Sequence, residues 1–339
     1  MTEPFRIRQA RLTDLPALWP LARQLDSYNL PADRAILRQL VLASVESFRG
    51  RLPRTQARYL FVMERRPSNS VIGCSLIIAK HGTPSLPHVR MDVRTVRMRS
   101  RTLRREATHD LLRLGWTTSG PTEIGGLIVL SRYRAHPLPL GRQLSYVRLA
   151  YIAAHPDRFE SDVLVEYLPP LTPEGDSGLW RALGAKFTGL SYRQADRLSI
   201  TNKEFITSLF PRGPIYTDWF PAQVRRQIGL VHPAAAGACG MLRAQGFRFL
   251  RQVEPFDGGP YYGARANRIK LCRQVRRGRI TALVGPLPWQ GLIWAEPSRG
   301  EFRCVWGFFG ISGRQIRVSP ETGTMLEVHE GMAAHAVAG

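Results

Sequence analysis

The chain has 339 residues, enough for one large domain or two smaller ones, and its apolar fraction of 44% is that of an ordinary globular protein. No window of about 18 uninterrupted apolar residues predicts a membrane span. The net charge of +22 is almost all arginine and is spread along the chain, which argues against a dedicated nucleic-acid-binding protein. One dense basic run, Arg90 to Arg105, keeps nucleic acid as a minor alternative partner.

The cysteines and the first residues bear on the compartment in which the protein works. The four cysteines are widely spaced and form no CxxC pair, which predicts free thiols and neither a zinc site nor a disulfide framework. Residues 1–6 show no basic start followed by an apolar stretch, so we expect no secretion signal. These features together predict a cytoplasmic protein without a bound metal.

The first eighty residues predict a strand, two helices and a hairpin. Alternation at residues 5–8 predicts the strand, and leucines at helical spacing over residues 15–25 predict the first helix. A second helix is expected after Asp33, which can serve as its N-cap. The apolar runs at residues 59–63 and 71–78 are separated by a polar turn and predict the hairpin.

The middle of the chain predicts a strand, a turn and a helix. Residues 81–121 are basic and show no regular apolar pattern. We expect them to form a long segment between the predicted strands, with a helix near residues 105–114. A short buried strand at residues 126–130 then leads through a turn into a helix from about residue 142 to residue 155. Another strand is expected at residues 163–166.

The later part of the chain contains a weak internal repeat. Segments 179–187 and 241–249 each read as a short helix that ends on glycine, followed by an aromatic residue that opens a strand. From about residue 268, short alternating segments with Gly and Pro turns predict a β-rich extension. Residues 330–339 are expected to form a frayed terminus.

This order of elements is that of a GCN5-related N-acetyltransferase fold. We therefore expect an α+β protein with a mixed sheet flanked by helices and a β-rich C-terminal extension. In such a site a strand leads through a turn into a helix N-terminus, whose amide groups bind the pyrophosphate of coenzyme A. The candidate is the strand that ends at Leu130, with the turn that follows it up to Arg142.

Three residues of this turn are candidates for binding the cofactor. Arg134 and Arg142 can pair with phosphate oxygens, and Gly141 permits close approach of the backbone. A proline-rich surface loop is an equally good interpretation from this segment alone, because Pro137 and Pro139 carry no N–H.

A set of short motifs in a fixed order points to one family. These are Lys203-Glu204-Phe205-Ile206, Pro214-Ile215-Tyr216-Thr217, Ile228-Gly229-Leu230-Val231-His232-Pro233, Gln245-Gly246-Phe247 and Phe256-Asp257-Gly258-Gly259-Pro260. In that order and spacing the chain closely resembles the arginine N-succinyltransferase family, over about residues 5–280. Segments nearer the N-terminus, such as Asn29-Leu30-Pro31-Ala32 and Tyr59-Leu60-Phe61-Val62, agree.

The resemblance implies transfer of a succinyl group from succinyl-CoA to the α-amine of L-arginine, in arginine catabolism. Succinyl-CoA would be a co-substrate, and no cofactor would be bound permanently. The family's catalytic proton donor falls on His232, and its succinyl-CoA contact on the central strand falls on Leu127. Family precedent allows a homo-oligomer or a hetero-oligomer with a related subunit.

The residue types are compatible with these roles. An imidazole can protonate a leaving thiolate, although a histidine before proline is by itself more often a structural turn residue. Glu123 and Glu166 are the acids expected near the reaction, to accept the ammonium proton or to pair with the substrate guanidinium. For each, a solvated carboxylate at a strand end is the more common interpretation. Asp257 can contact a cationic substrate or form an Asx turn.

The predicted organisation has three parts and leaves two other functions open. Residues 1–200 would form the acyl-CoA N-acyltransferase core, residues 201–267 the family-specific segment with His232, and residues 268–339 the extension. One alternative function is a diverged acyltransferase that acts on ornithine or another amine. The other is a non-catalytic basic binding protein on the same fold, which would use the face around residues 90–105.

Overall fold

A computed structural model describes residues 5–25, 27, 29–172, 174–281, 286–298 and 300–339. Residues 1–4, which entered the argument against a secretion signal, lie outside the described residues. The strands up to the middle of the chain are β1 (Phe5–Gln9), β2 (Arg58–Arg65), β3 (Ser70–Ile78), β4 (His88–Ser100), β5 (Arg105–Thr117), β6 (Thr122–Val129) and β7 (Asp162–Glu166). The later strands are β8 (Ile215–Tyr216), β9 (Arg248–Val253), β10 (Pro260–Arg265), β11 (Arg276–Thr281), β12 (Trp289–Ala295), β13 (Arg303–Ser312), β14 (Gln315–Val318) and β15 (Ala333–Ala338).

The helices follow the same order along the chain. They are α1 (Leu15–Leu25), α2 (Arg34–Phe48), α3 (Leu140–Ala154), α4 (Ala185–Thr188), α5 (Tyr192–Ser199), α6 (Glu204–Leu209), α7 (Ala222–Gln227), α8 (Ala236–Ala244), α9 (Lys270–Gln274) and α10 (Pro320–Leu326). The predicted first strand, the first two helices and the first hairpin are confirmed. Asp33 caps α2 as predicted, since its side chain accepts from the amides of Ala35 and Ile36.

The chain divides into two compact units. Unit 1 comprises residues 1–80, 122–163 and 264–339, and unit 2 comprises residues 81–121 and 164–263. These boundaries cut across the expected limits near residues 200 and 267. The three-part functional division therefore stays a prediction.

Unit 1 is built around a sheet with strand order β12-β15-β11-β14-β13-β1-β2-β3-β6. Strand β1 lies between β2 and β13, so Ile7 faces Met63 on one side and Cys304 on the other. Helices α1 and α2 bury leucines and valines against β2 and β3. The C-terminal extension is β-rich as predicted, but it joins the same sheet as the N-terminal strand.

A buried carboxylate ties β1 to β2 in unit 1. Glu64, with 2% of its side chain exposed, accepts from Arg6 at 2.7 Å and from Arg8 at 2.7 Å. Arg8 also makes a two-pronged pair with Asp14, through Nη1 at 2.7 Å and Nη2 at 2.8 Å. Each of these charges is buried, so each needs its partner to offset the loss of solvation.

The same network extends to the C-terminal segment. Glu327 accepts from Arg6 at 2.8 Å and from Arg303 at 2.7 Å. Burial acts to raise the pKa of Glu327, but the hydrogen bond from Arg6 and the charges of Arg303 and Arg6 outweigh it and lower that pKa. Charge pairing therefore joins the first strand to the loop after α10.

Unit 2 contains a sheet with strand order β10-β9-β4-β5-β8. Strands β4 and β5 form a long hairpin, so the helix predicted near residues 105–114 is wrong. Leu112 pairs with Val93 and Leu114 with Met91, and these two leucines alternate into the core. Leu111 and Leu114 have helical spacing, whereas Leu112 and Leu114 have strand spacing, and the cross-strand partner decides between the two structures.

Two further expectations are corrected by packing. The strand expected at Phe187 is helical, because Gly184 does not end the helix. A Cβ on Gly184 would lie 2.3 Å from the Trp180 ring, so this glycine makes room for the indole, and the chain turns at Gly189 with φ of 70°. The last residues are not frayed, since β15 pairs with β11 and β12 and buries Val337. The helix and the strand predicted for the second copy of the internal repeat are confirmed, as α8 and β9.

We predict that Glu64→Gln lowers the free energy of unfolding by about 3–5 kcal/mol, because two buried arginines lose their shared counter-charge. Urea denaturation followed by circular dichroism measures the change. The matched control is Glu46→Gln on the exposed side of α2, whose pairs with Arg49 and Arg51 are solvated and should contribute little. Equal loss in the two variants would contradict the central role of Glu64.

Candidate active site

One group of candidate residues lies on β6 in unit 1, where the strand carries a bulge. Cys74 pairs with Ile128 and Leu76 with Gly125, so Gly126 and Leu127 together stand opposite one residue of β3. Gly126 has φ of 57°, a conformation that favours glycine. A bulge of this kind turns backbone groups out of the ladder. Leu127, the expected contact for succinyl-CoA, is therefore at an irregular point of the strand.

Glu123 lies on the same strand, before the bulge. It is buried rather than solvated, with 3% of its surface exposed, and its Oε1 accepts from Asn29 Nδ2 at 2.6 Å. The interpretation of Glu123 as a solvated carboxylate is therefore wrong. A buried carboxylate held by an amide on the α1–α2 loop has a fixed position within unit 1.

The turn after β6 leads to the N-terminus of α3. The first helical bond is from the amide of Gln143 to the carbonyl of Pro139, at 3.1 Å. The amides of Gly141 and Arg142 therefore lie in the first turn, where a helix has no internal acceptors. Pro137 and Pro139 come before these amides and do not remove them. A Cβ on Gly141 would meet nothing within 4 Å, so the space beside it is open.

The two arginines of this turn are both exposed. Arg134 Nε donates to the carbonyl of Val129 at 3.4 Å, which holds its side chain near the end of β6. Arg142 projects from the first turn of α3. An exposed guanidinium beside an open helix N-terminus is the arrangement that binds phosphate groups.

A separate group of candidate residues lies in unit 2, around His232. This residue is half-buried and caps a short 3₁₀ turn, with its Nδ1 accepting from the amide of Ala234 at 3.1 Å. A neutral imidazole that accepts at Nδ1 carries its proton on Nε2. His232 therefore presents an Nε2–H donor to its surroundings.

Backbone bonds bring the three predicted unit 2 residues into one region. The amide of His232 donates to the carbonyl of Leu168 at 2.9 Å, two residues after Glu166. The amide of Gly229 donates to the carbonyl of Gly258 at 2.9 Å, next to Asp257. Glu166 and Asp257 therefore lie close in the fold to the segment that carries His232.

Asp257 forms an Asx turn as one interpretation predicted, and it is also buried. Its Oδ1 accepts from the amide of Gly259 at 2.7 Å. Gly258 has φ of 80°, and a Cβ on Gly259 would lie 2.4 Å from the carbonyl oxygen of Tyr167. The Asp-Gly-Gly sequence is therefore required by the turn itself.

Sequence reasoning missed two residues of this region, Glu254 and Tyr192. Glu254 accepts from the amides of Phe256 and Asp257. The hydroxyl of Tyr192 donates to Asp257 Oδ2 at 3.5 Å. Two acids three residues apart around a turn were a usable signal for Glu254. Tyr192 comes from α5, and no local pattern links it to the turn.

The buried acids of this region have raised pKa values. Burial raises the pKa of Asp257 to about 7, with the charge of Asp196 acting in the same direction and the Gly259 amide opposing it. Burial, followed by the charges of Asp257 and Glu166, also raises the pKa of Glu254 well above its ordinary value. Carboxyl groups this close in a desolvated site favour holding a proton until a cation approaches.

Within the described residues, no group of three or more His, Cys, Asp or Glu is arranged to hold a metal ion. In the part of the chain that the structure covers, no helix is long and apolar enough to cross a membrane.

Comparisons with known proteins agree on one family. The family model described as arginine N-succinyltransferase beta subunit matches residues 5–271. Arginine N-succinyltransferase of Enterobacter sp. (strain 638) is 31% identical over 305 residues, which are 88% of this chain and 87% of the relative. Arginine N-succinyltransferase subunit alpha of Pseudomonas aeruginosa is 30% identical and covers 98% of this chain and 99% of its own.

A solved structure supports the same relationship across the whole fold. The arginine/ornithine succinyltransferase subunit AI from Pseudomonas aeruginosa matches with a TM-score of 0.83 and 28% identity, over 99% of each chain. The α+β architecture is thus shared with that protein from end to end. The chain belongs to the arginine N-succinyltransferase family.

Proposed function

We propose that this chain is an arginine N-succinyltransferase, which transfers the succinyl group of succinyl-CoA to the α-amino group of L-arginine. The observation that supports the proposal is the segment of His232, whose backbone bonds to Leu168 and, through Gly229, to the turn that holds the buried acid Asp257. Succinyl-CoA acts as a co-substrate and leaves as free coenzyme A. The cytoplasmic location expected from the sequence is compatible with this metabolic role.

We assign the binding of coenzyme A to unit 1, in the manner of a GCN5-related N-acetyltransferase-like fold. The amides of Gly141 and Arg142, with the side chains of Arg134 and Arg142, would hold the pyrophosphate. The backbone of Leu127, turned out of the ladder at the bulge, would hold the thioester carbonyl. The high positive charge of the chain favours capture of this anionic co-substrate.

The reaction is a direct attack of the amine on the thioester. The α-ammonium first loses a proton to a carboxylate, for which Glu123 is the candidate base. The neutral amine then adds to the carbonyl carbon, and the nitrogen of the tetrahedral intermediate releases its second proton to water. The intermediate collapses to the amide with cleavage of the carbon–sulfur bond. His232 Nε2 donates its proton to the leaving thiolate, so no covalent enzyme intermediate forms.

We assign the binding of the cationic amine substrate to Glu166 and Asp257. A protein of net charge +22 repels a cation at long range, so a local group of acids is needed to hold it. The raised pKa of Asp257 fits this role, because an arriving cation favours loss of the proton.

A second amine deserves a test, since the matching solved structure is described as an arginine/ornithine succinyltransferase. Ornithine is therefore the alternative acceptor.

Relatives described as alpha, beta and AI subunits also favour a hetero-oligomer with a related chain over a lone monomer.

The test is release of free thiol from succinyl-CoA with and without L-arginine, with acetyl-CoA and L-ornithine as alternative substrates. Arginine-dependent release that prefers succinyl-CoA supports the proposal. Salt-dependent DNA binding without any thioester turnover would instead favour the non-catalytic basic protein.

We predict that His232→Ala lowers kcat by about 10²- to 10⁴-fold, because the leaving thiolate loses its proton donor. The thiol-release assay measures this, and circular dichroism checks that the variant is folded. His329→Ala, at an exposed histidine of unit 1, is the control and should keep full activity. Retention of activity in His232→Ala would remove the residue from the reaction.

We predict that Arg142→Gln raises KM for succinyl-CoA by about 2- to 5-fold at low salt, since an exposed charge pair with phosphate is lost. The difference from wild type should shrink as salt is added, because exposed charges are screened. Arg38→Gln on α2 removes one exposed arginine elsewhere in unit 1 and serves as the control. A KM effect of the same size in both variants would indicate net charge alone.

We predict that KM for L-arginine falls as pH rises from 6 to 8, because the Asp257 carboxyl ionises near pH 7. Asp257→Asn should lose that dependence, while its amide oxygen can still accept from Gly259. Stability gives a second readout. Because the folded-state pKa is above the unfolded value of about 3.9, ionisation of Asp257 costs stability as pH rises from about 4 to above 7.

Urea denaturation of both proteins across this range checks the sign. The wild type should lose stability relative to Asp257→Asn as pH rises. Asp162→Asn, at an exposed carboxylate, reports the general effect of removing one acid. Parallel pH profiles for wild type and Asp257→Asn would contradict the assignment.

A further inference from the structure

The hairpin of β4 and β5 in unit 2 continues past the strands that flank it. Strand β9 pairs with β4 at residues 91–92, and β8 pairs with β5 at residues 111–112. The hairpin itself is paired without interruption as far as Ser100 and Arg105. Among the described residues, segment 94–110 is therefore a two-stranded ribbon, which we call the arm. A two-stranded ribbon is marginally stable by itself in water, so the arm favours a molecule that packs on it.

One face of the arm is apolar along its centre. Residues directly opposite each other on paired strands share a face, and the pairs Val96–His109 and Met98–Ala107 lie on the same one. Met98 is 45% exposed, and neither Val96 nor Ala107 is buried. A row of aliphatic groups left at the surface of a ribbon is a surface that a second molecule can cover.

An aromatic pair continues this face beyond the arm. The ring centres of His109 and Tyr216 are 5.9 Å apart, and those of Tyr216 and Trp219 are 5.7 Å apart. His109 Nδ1 also lies 2.8 Å from Asp218 Oδ2, which holds the turn that carries Trp219 against the arm. Trp219 is 75% exposed. Trp, Tyr, Met and Arg are the side chains enriched in protein interfaces, and here they share one surface.

The border of this face is basic. Segment 94–110 contains six arginines and two acids, and all six arginines are exposed. The two acids, Glu106 and Asp110, pair across the hairpin on the opposite face. Within the arm, the apolar face therefore carries only positive charge, from Arg94 and Arg105. Such a face complements an acidic surface.

We propose that the arm, together with Tyr216 and Trp219, is the docking surface for a protein whose contact surface is apolar at its centre and acidic at its border. A second copy of this chain does not fit, because its net charge of +22 and its own arm repel these arginines. Nucleic acid would pair with the arginines but not cover Val96 and Met98, whose aliphatic groups neither bind phosphate nor stack on bases. The inference goes beyond the proposed function, since none of the residues assigned to the reaction lies on this surface.

The experiment measures binding of two labelled acidic peptides to the full chain by fluorescence anisotropy. One peptide carries leucines between two runs of glutamate, and the other carries serines in place of the leucines. We expect the wild type to bind the leucine peptide about 10-fold more tightly than the serine peptide, because only leucines cover the apolar centre. Hydrogen exchange should slow over residues 94–110 when the leucine peptide binds.

Two variants of the surface separate its apolar and its charged contributions. Trp219→Ser should remove most of the preference for the leucine peptide, since the most exposed aromatic anchor is lost. Arg94→Gln combined with Arg105→Gln should weaken both peptides by about 5-fold at low salt, and the effect should shrink as salt is added. Met98→Ser, on the arm itself, gives an independent variant if Trp219→Ser does not fold.

Matched controls lie in unit 1. Phe308→Ser removes another exposed aromatic residue, and Arg38→Gln combined with Arg65→Gln removes two other exposed arginines. Both controls should leave the two affinities within about 2-fold of the wild type, because a distant exposed charge is screened.

Equal binding of the two peptides by the wild type would overturn the inference, as would loss of the preference in Phe308→Ser to the same extent as in Trp219→Ser. Tighter binding of single-stranded DNA, with slowed exchange over the arm, would assign the surface to nucleic acid instead. A dimer in sedimentation experiments that Met98→Glu dissociates would assign it to a second copy. Neither substrate is present in these measurements, so a wrong assignment of acyl transfer does not affect their outcome.

Discussion

The buried carboxylate of Glu64 is the interaction on which unit 1 depends. It neutralises Arg6 and Arg8 at the centre of the sheet, and Glu327 extends the network to the C-terminal segment. Burying these charges is unfavourable unless all partners are present, so the network specifies one pairing of β1 with its neighbours. The same sheet carries β6, so the geometry of the proposed coenzyme A site rests on pairs formed far from it.

The bulge in β6 shows how a local irregularity can free backbone groups of a strand. Regular pairing would occupy the backbone groups of Leu127, and the extra residue turns them out of the ladder. Gly126 supplies the backbone conformation that the bulge needs. Strand irregularities of this kind re-aim groups without moving the elements around them.

Sequence patterns predicted what is local and missed what is long-range. Helix α2 follows from its cap at Asp33, and the turn into α3 follows from composition, because both are decided within a few residues. The hairpin of β4 and β5 was missed, because Leu111, Leu112 and Leu114 contain both helical and strand spacings and only their cross-strand partners decide. His232 came from family resemblance, while Glu254 was not found because its burial depends on distant segments.

The position of β1 has a consequence for how the chain is made. Arg6 of β1 pairs with Val305 of β13, so this pairing cannot form until β13, much later in the sequence, has been synthesised. Contacts so distant in sequence slow folding, because a long loop must close before they form. Until then β1 exposes an unpaired edge, and Arg6 lacks its second carboxylate partner, Glu327. The sheet of unit 1 is therefore complete only after β13 has been synthesised and has covered the exposed edge of β1.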